Sequence, residues 1–414
     1  MTNGIVKVKY PGEISAIVGT LKDFPYPPIN TVLKTFDRWA LALNGQSLAD
    51  IPGMAFLKIW LRRGTLEPIL IREIGTANVK GDWQVAGRSR YKVFPLGLIG
   101  HWPAGNIAIQ PMLSMTCALL GGNKSLIRIP SGLVNTTERI ISLLQQVDQD
   151  DILKNYVRMI AFDHGETDLH KEMAQCVDGA MIWGGQQAVV NVRSLPFPPW
   201  ARLSVYGPRL SVAALDKGAW ADPTESKKWC RRLVRDVWQF EQQACSSPQT
   251  LFIERSDEQL EEFLKTLEDA FRAENLLHPT SINQPWLVSS VVQARASWLF
   301  DDLDHKAVFP ETPDWTILLG KGSDILEPIY GKTLRVQVVE DLLDITSSLN
   351  HNIQTLGIGI SDAQKEKLLV EAAGTRGVDR IVKLGRMHAF GSPWDGKELI
   401  KPMIRMVHHI SSAE

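Results

Sequence analysis

Apolar and polar positions follow two different periods along the chain, and the places where the period changes mark its organisation. Ile29 to Leu43 puts Val32, Leu33, Phe36, Trp39 and Ala40 on one face, the spacing of an amphipathic helix that begins after the proline-rich break Pro25 to Pro28. Trp60-Leu61-Arg62-Arg63-Gly64 closes another helix, and residues 1–90 read as a cover for the domain after them. Tyr91 to Gly100 is an apolar run, with a turn after it at Gly105-Asn106. Ile107 to Leu120 is helix-like and stops at Gly121-Gly122-Asn123, a helix C-terminal signature. Ser125 to Ile129 is a short strand ending at Pro130-Ser131-Gly132, and Asn135 is expected to cap a helix over Thr136 to Val147. Strand and helix then alternate through Tyr156 to Phe162, Thr167 to Cys176, Gly179 to Trp183 and Gln186 to Val192. This predicts parallel βαβ units in an open α/β sheet, an architecture that places ligands at the carboxyl ends of its strands.

Beyond that point the pattern starts again. Arg202 to Leu215 reads as two short strands broken by Gly207-Pro208. A helix over Thr224 to Trp238 and a strand over Thr250 to Glu254 enclose a polar stretch, Phe240 to Gln249. Leu260, Phe263, Leu264, Leu267 and Phe271 fall at helical spacing and are expected in a core. Trp315 to Leu319 and Leu334 to Val339 are strand candidates either side of the loop Leu326 to Gly331. The tail from Leu384 is short and mixed, with Trp394-Asp395-Gly396 as its clearest turn.

Composition narrows the classes. At 414 residues the chain exceeds the size of a single core, so two or more domains are expected. The charges nearly cancel, 45 basic against 46 acidic, which argues against a nucleic-acid binder. Four cysteines, Cys117, Cys176, Cys230 and Cys245, form no CxxC pair, so neither a metal site nor a disulfide framework is expected. Met1 to Thr20 carries lysines and a Pro-Gly where a signal peptide needs an unbroken apolar core. No 18-residue apolar run occurs, so no membrane span is expected, and a reducing cytoplasm is the expected compartment.

Candidate chemistry collects at a few turns. Cys245 lies in the polar stretch between helix and strand, where a thiol can be accessible and its thiolate held by backbone N–H groups; a buried structural cysteine is the alternative. Arg128 ends a strand where a cation could meet a ribose phosphate, or could simply be solvated. Trp183-Gly184-Gly185 ends another strand and opens a helix, a place for a phosphate or for a purely structural turn. The G-x-G-x-x-G fingerprint of dinucleotide folds is absent.

Several segments, in order, resemble the aldehyde dehydrogenase superfamily and more closely its acyl-CoA reductase branch, the family of the fatty acyl reductase of bacterial bioluminescence. They are Gly100 to Asn106, Leu119 to Asn123, Trp183-Gly184-Gly185, Tyr206 to Ser211, Phe240 to Gln249 and Trp394-Asp395-Gly396. The resemblance implies an α/β, aldehyde-dehydrogenase-like fold: an open parallel-sheet nucleotide-binding domain within 1–215, a second α/β catalytic domain within 216–385, and a tail, 386–414, returning to the first domain or serving an oligomer contact. It places Cys245 at the nucleophile and Asn106 at the amide that, with the Cys245 N–H, holds the oxyanion. Arg128 takes the place of a lysine that binds the adenosine ribose in many relatives, and Ser131 lies in the turn after it. Gly184 and Gly185, after Trp183, sit where the pyrophosphate is approached. Glu327 lies near the glutamate used on the nicotinamide ribose, although Pro328 directly precedes the Ile-Tyr-Gly. Val205 stands where aldehyde-oxidising relatives carry the glutamate that activates hydrolytic water, and a valine cannot take a proton.

The function so implied is reduction of an acyl thioester, on CoA or an acyl carrier protein, to an aldehyde through an acyl-cysteine, with NADPH as the expected cofactor and NADH as its alternative. Oxidation of an aldehyde and acyl transfer without reduction are the rival readings. An acyl-activating partner enzyme and a homo-oligomer are further implications of the resemblance. Glu241 reads as a solvated carboxylate or a helper in proton transfer, and His101 as a structural histidine.

Overall fold

A computed structural model describes residues 4–22, 24–279, 284–302 and 305–410. Sixteen strands run through the described residues. In chain order they are β1 (Val6–Lys7), β2 (Gln84–Ala86), β3 (Ser89–Pro95), β4 (Leu98–Trp102), β5 (Lys124–Arg128), β6 (Val157–Ala161), β7 (Gly179–Trp183) and β8 (Arg202–Tyr206). Next come β9 (Leu210–Leu215), β10 (Pro248–Glu254), β11 (Lys306–Val308), β12 (Thr316–Lys321), β13 (Thr333–Val339), β14 (Ile353–Gly359), β15 (Arg380–Lys383) and β16 (Ile404–Ile410). The chain divides into two compact units, one formed by residues 1–207 with 390–414 and the other by residues 208–389.

The first unit is built on a parallel sheet of order β1-β6-β5-β4-β7-β8. Its central strands are apolar on both faces, and β4 and β7 are buried along their whole length, the signature of a sheet covered by helices on both sides. On one face Leu98, Leu126, Ile160, Ala180 and Ile182 pack with Leu169 and Met173 of the helix Thr167–Gln175. The expected helix over Ile29 to Leu43 forms as Ile29–Ala42, with Val32, Leu33, Phe36, Trp39 and Ala40 buried. A small antiparallel sheet, β16-β3-β2, completes this unit, and through it the C-terminal tail joins residues near the other end of the chain.

The second unit carries a seven-stranded sheet, β11-β12-β13-β10-β9-β14-β15, parallel throughout except for β11. One face packs Leu251, Ile253, Leu334 and Val336 against Trp229, Leu233 and Val237 of the helix Pro223–Trp238 and Phe263, Leu267 and Phe271 of the helix Leu260–Leu277. Each such side chain contributes about 1.5–3 kcal/mol on burial. The opposite face buries Val212, Ala214, Phe252, Leu356 and Ile358.

Three expectations are corrected. The boundary lies at 207 rather than 215, because β9 pairs in parallel with β10 and β14 in the second sheet and its hydrogen bonds commit it there. The apolar run Tyr91 to Gly100 is two strands in two sheets: Pro95 cannot donate to a ladder, and at Gly97 (φ 143°) a Cβ would stand 2.0 Å from a carboxylate oxygen of Asp178. Asn135 is not a cap. It lies in the first turn of the helix Val134–Gln146, which the chain enters directly from a 3-10 turn at Ser131–Leu133.

Candidate active site

In the second unit the helix Pro223–Trp238 delivers the chain to Cys245. Asp222 caps its start by accepting from Thr224 N–H (3.0 Å) and Glu225 N–H (2.9 Å), with Pro223 in the first turn. After Trp238 the backbone turns left-handed at three consecutive non-glycine residues, Phe240 (φ 54°), Glu241 (φ 54°) and Gln242 (φ 59°). Such residues cost roughly 1–2 kcal/mol each, so surrounding bonds must hold them. The fully buried Gln242 supplies these bonds: its amide donates to Pro248 O and Thr333 O (both 2.9 Å) and accepts from Thr333 N–H (2.8 Å).

Facing it is a second left-handed turn, Tyr330 (φ 66°), Gly331 (φ 63°) and Lys332 (φ 56°). At Gly331 a side chain is excluded twice over, by φ and by Val291 Cγ2, 2.9 Å from where a Cβ would stand. Lys332, with 1% of its side chain exposed, pairs at 2.7 Å with the Glu241 carboxylate and lies over the Trp238 ring at 4.7 Å. Burial pushes the lysine's pKa down and the carboxylate works against that. Glu241 is thus the counter-ion of a buried lysine.

Cys245 is partly exposed, and every group around it is tied down. Its carbonyl accepts from Ser211 Oγ (2.6 Å), and its sulfur accepts from Gln354 Nε2 (3.2 Å). Next to it Ser246 Oγ lies 2.9 Å from His388 Nδ1, while His388 Nε2 lies 2.7 Å from the Asp236 carbonyl. A carbonyl only accepts, so the proton sits on Nε2 and Ser246 donates to Nδ1. Complete burial keeps this imidazole neutral, pushing its pKa down to about 4. Burial pushes the Asp236 carboxyl up to about 7 against donation from Gly385 and Met387 N–H groups. Of the other cysteines, Cys117 and Cys230 are buried and shifted upward by burial, Cys230 to about 12. Cys176 belongs to the first unit, 3.7 Å from Ser15 Oγ.

Glu327 is exposed, and its backbone carbonyl accepts from Arg335 Nη1 (2.7 Å), which fastens the 326–327 loop to β13. Glu327 also contributes to raising the Tyr330 hydroxyl, after burial itself.

In the first unit the remaining candidates gather at the carboxyl edge of the sheet. Asn106 is exposed in the loop after β4. Arg128 closes β5: Nη2 donates to Phe162 O (3.3 Å), the guanidinium lies 5.4 Å from the Phe162 ring centre, and the buried Nε has no hydrogen-bond partner. Ser131 is exposed just beyond. Trp183 turns inward, stacked on Tyr206 (3.9 Å between centroids) and donating to Ser114 Oγ (3.0 Å), so only the backbone of its turn faces outward. Gly185 opens the helix Gln186–Arg193 with no side-chain cap on its first N–H groups. An orphaned guanidinium nitrogen and an uncapped helix start along one edge fit the anionic backbone of a dinucleotide. Val205 packs against the apolar cluster beneath. His101 is buried between Ser114 Oγ (2.7 Å) and Ser125 Oγ (3.1 Å), its pKa pushed down to about 3 by burial.

Several of these residues leave no trace in the sequence. Gln354, His388 and Arg335 reach the site from strands and loops distant in the chain, and the paired glutamines Gln242-Gln243 are the only local sign of a polar clamp.

A profile of the family described as Acyl-CoA reductase (LuxC) matches residues 32–408. The chain belongs to this family. Among its relatives, the long-chain acyl-protein thioester reductase of Photorhabdus laumondii is 24% identical over 88% of this chain and 74% of that protein. The acyl-CoA reductase chain also shares its fold with the NAD-dependent aldehyde dehydrogenase of Sinorhizobium meliloti, at a TM-score of 0.70 and 12% identity over 97% of this chain and 87% of that one. With proline utilization A of Bradyrhizobium japonicum the TM-score is 0.74 at 12% identity, but the chain spans only 46% of that protein's length. The aldehyde-dehydrogenase-like fold that the resemblance implied is therefore present, with both parallel sheets. The family makes the chain an oxidoreductase. No described helix is long and apolar enough to cross a membrane.

Proposed function

We propose that the protein reduces an acyl thioester, a long-chain acyl group on a protein or on CoA, to the aldehyde through an acyl-Cys245 intermediate. The observation that carries this reading is the partly exposed Cys245 sulfur, receiving an amide N–H in a turn braced on all sides. The second unit then holds the nucleophile, and the first takes the dinucleotide along the edge that carries Arg128, Ser131, Gly184 and Gly185, with Glu327 assigned by the family pattern to the nicotinamide ribose.

Cys245 attacks as a thiolate, and its sulfur forms a bond to the thioester carbonyl carbon. Family pattern assigns the oxyanion to the Cys245 N–H and the Asn106 amide. Collapse breaks the donor's carbon–sulfur bond, and the departing thiolate takes a proton from solvent. The cofactor supplies, when bound, a hydride for the acyl carbon. Collapse of the hemithioacetal on Cys245 then returns the thiolate and frees the aldehyde. Val205, packed among apolar side chains, offers no base to activate water, which favours this course over release of a free acid.

Incubation with a long-chain acyl thioester and no cofactor should add one acyl mass, located at Cys245 by peptide mapping. Addition of NADPH should then consume absorbance at 340 nm and yield aldehyde. Near wild-type aldehyde formation by Cys245→Ala would overturn the reading.

A further inference from the structure

The amide that meets the Cys245 sulfur is the end of a hydrogen-bond chain with a fixed direction. Arg380 Nη1 donates to Thr355 Oγ1 (3.2 Å), Thr355 Oγ1 donates to Gln354 Oε1 (3.4 Å), and Gln354 Nε2 donates to Cys245 Sγ (3.2 Å). A guanidinium has no acceptor, so the threonine hydroxyl receives from Arg380 and passes its own proton forward. With Oε1 engaged in this way, the glutamine presents N–H, never oxygen, to the sulfur. Arg380 is itself held by the loop after β15, donating to Met387 O (2.7 Å), Arg386 O (3.2 Å) and Ala389 O (2.8 Å). Gln354 is fully buried on β14, so the amide cannot swing away.

We propose that Gln354 is a catalytic residue that stabilises Cys245 as the thiolate, with Arg380 and Thr355 as positioning residues that aim and polarise its amide. The inference rests on Cys245 being the nucleophile. The same N–H serves twice. Before attack it favours the ionised sulfur. When the hemithioacetal collapses, it receives the sulfur again as the electron pair returns from the carbon–sulfur bond. Tyr330 is an ionisable neighbour of the thiol, and burial, Glu327 and the cysteine itself all hold its hydroxyl protonated. His388, one residue away through Ser246, stays neutral, so neither group supplies a competing cation.

The test is the pH dependence of Cys245 alkylation by iodoacetamide, followed by peptide mapping, which needs neither substrate nor cofactor. Gln354→Met keeps the volume and removes the donor. Its alkylation profile should move up by about one pH unit, which is roughly tenfold slower modification near pH 7. Gln354→Glu, nearly isosteric, should move it further, because a carboxylate would then face the sulfur. Arg380→Lys should move it in the same direction by less. Profiles of correctly folded Gln354→Met and Gln354→Glu that coincide with wild type would overturn the proposal, even if thioester still acylated Cys245. Shifted profiles without acylation by any thioester would uphold the hold of Gln354 on the thiolate but refute the proposed reaction and with it the catalytic role.

Discussion

Arg128 has one half of its guanidinium engaged and the other half waiting. Its Nη2 is spent on a carbonyl, the ring of Phe162 lies against it, and the buried Nε is unmatched. Burial pushes its pKa down, and an anion at Nε would relieve that penalty. A 2′-phosphate is the natural candidate, so Arg128→Ala should raise the KM for NADPH by roughly 10- to 150-fold, about 1.5–3 kcal/mol, and the KM for NADH much less. Initial-rate measurements with both cofactors decide this, and equal effects would show that Arg128 does not read the phosphate. Single residues differ sharply in how visible they are in the sequence. Arg128 and Cys245 announce themselves by ending an element or interrupting a polar turn. Gln354 does not, because its partner lies 109 positions away and nothing around it is unusual. Glu241 shows the same limit: its counter-ion Lys332 becomes visible only once the two turns are brought together.

Among elements, the left-handed turns at 240–242 and 330–332 behave as one piece, joined by Gln242 and by the Glu241–Lys332 pair. Gln242→Ala would take a donor from two buried carbonyls, leave Thr333 N–H with only the longer bond to Tyr330 O (3.2 Å), and leave three strained residues held by the Glu241–Lys332 pair without the glutamine clamp. We expect a loss of about 2–4 kcal/mol in urea unfolding, from groups that each cost about 1–3 kcal/mol when left unmatched. Unchanged stability would mean that the turn holds itself. Neither turn is legible in the sequence, because left-handed backbone at Phe240 and Glu241 runs against local preference and survives only through tertiary bonds. Regular elements are far more legible. Gly179–Trp183 appears with the expected limits, since an apolar run bounded by turn residues leaves little choice. The helix Pro285–Asp301 gives no such signal, because apolar residues lie all around it and no face stands out.

At the scale of the whole molecule, the buried His101 and His388 and the half-buried His170 set the response to acid. Burial pushes His101 to about 3 and His170 and His388 to about 4, so the unfolded chain, titrating near 6.5, binds protons that the folded chain refuses. Their contribution to stability is complete above about pH 6.5 and is lost as pH falls toward 4. Asp236, raised to about 7, and Asp148, also raised by burial, act in the opposite sense, losing stability as pH rises. With the histidines in the majority, urea midpoints should fall between pH 6.5 and 4.5. His101→Asn should be less stable than wild type at pH 7.5, through lost bonds to Ser114 and Ser125, yet show a shallower decline in acid. A parallel decline in both proteins would remove His101 from the account.

The pairing of β16 with β3 sets the order in which this chain can be completed during synthesis. Ile404–Ile410 lies against Ser89–Pro95, and the whole of residues 208–389 is threaded between them. Every residue of the second unit is therefore synthesised before the strand that finishes the small sheet is even made. During that interval the inward edge of β3 has only β2 beside it, and a nascent chain stalled anywhere before residue 404 exposes that edge. The burden on chaperones thus falls on the part of the protein that is translated first and closed last.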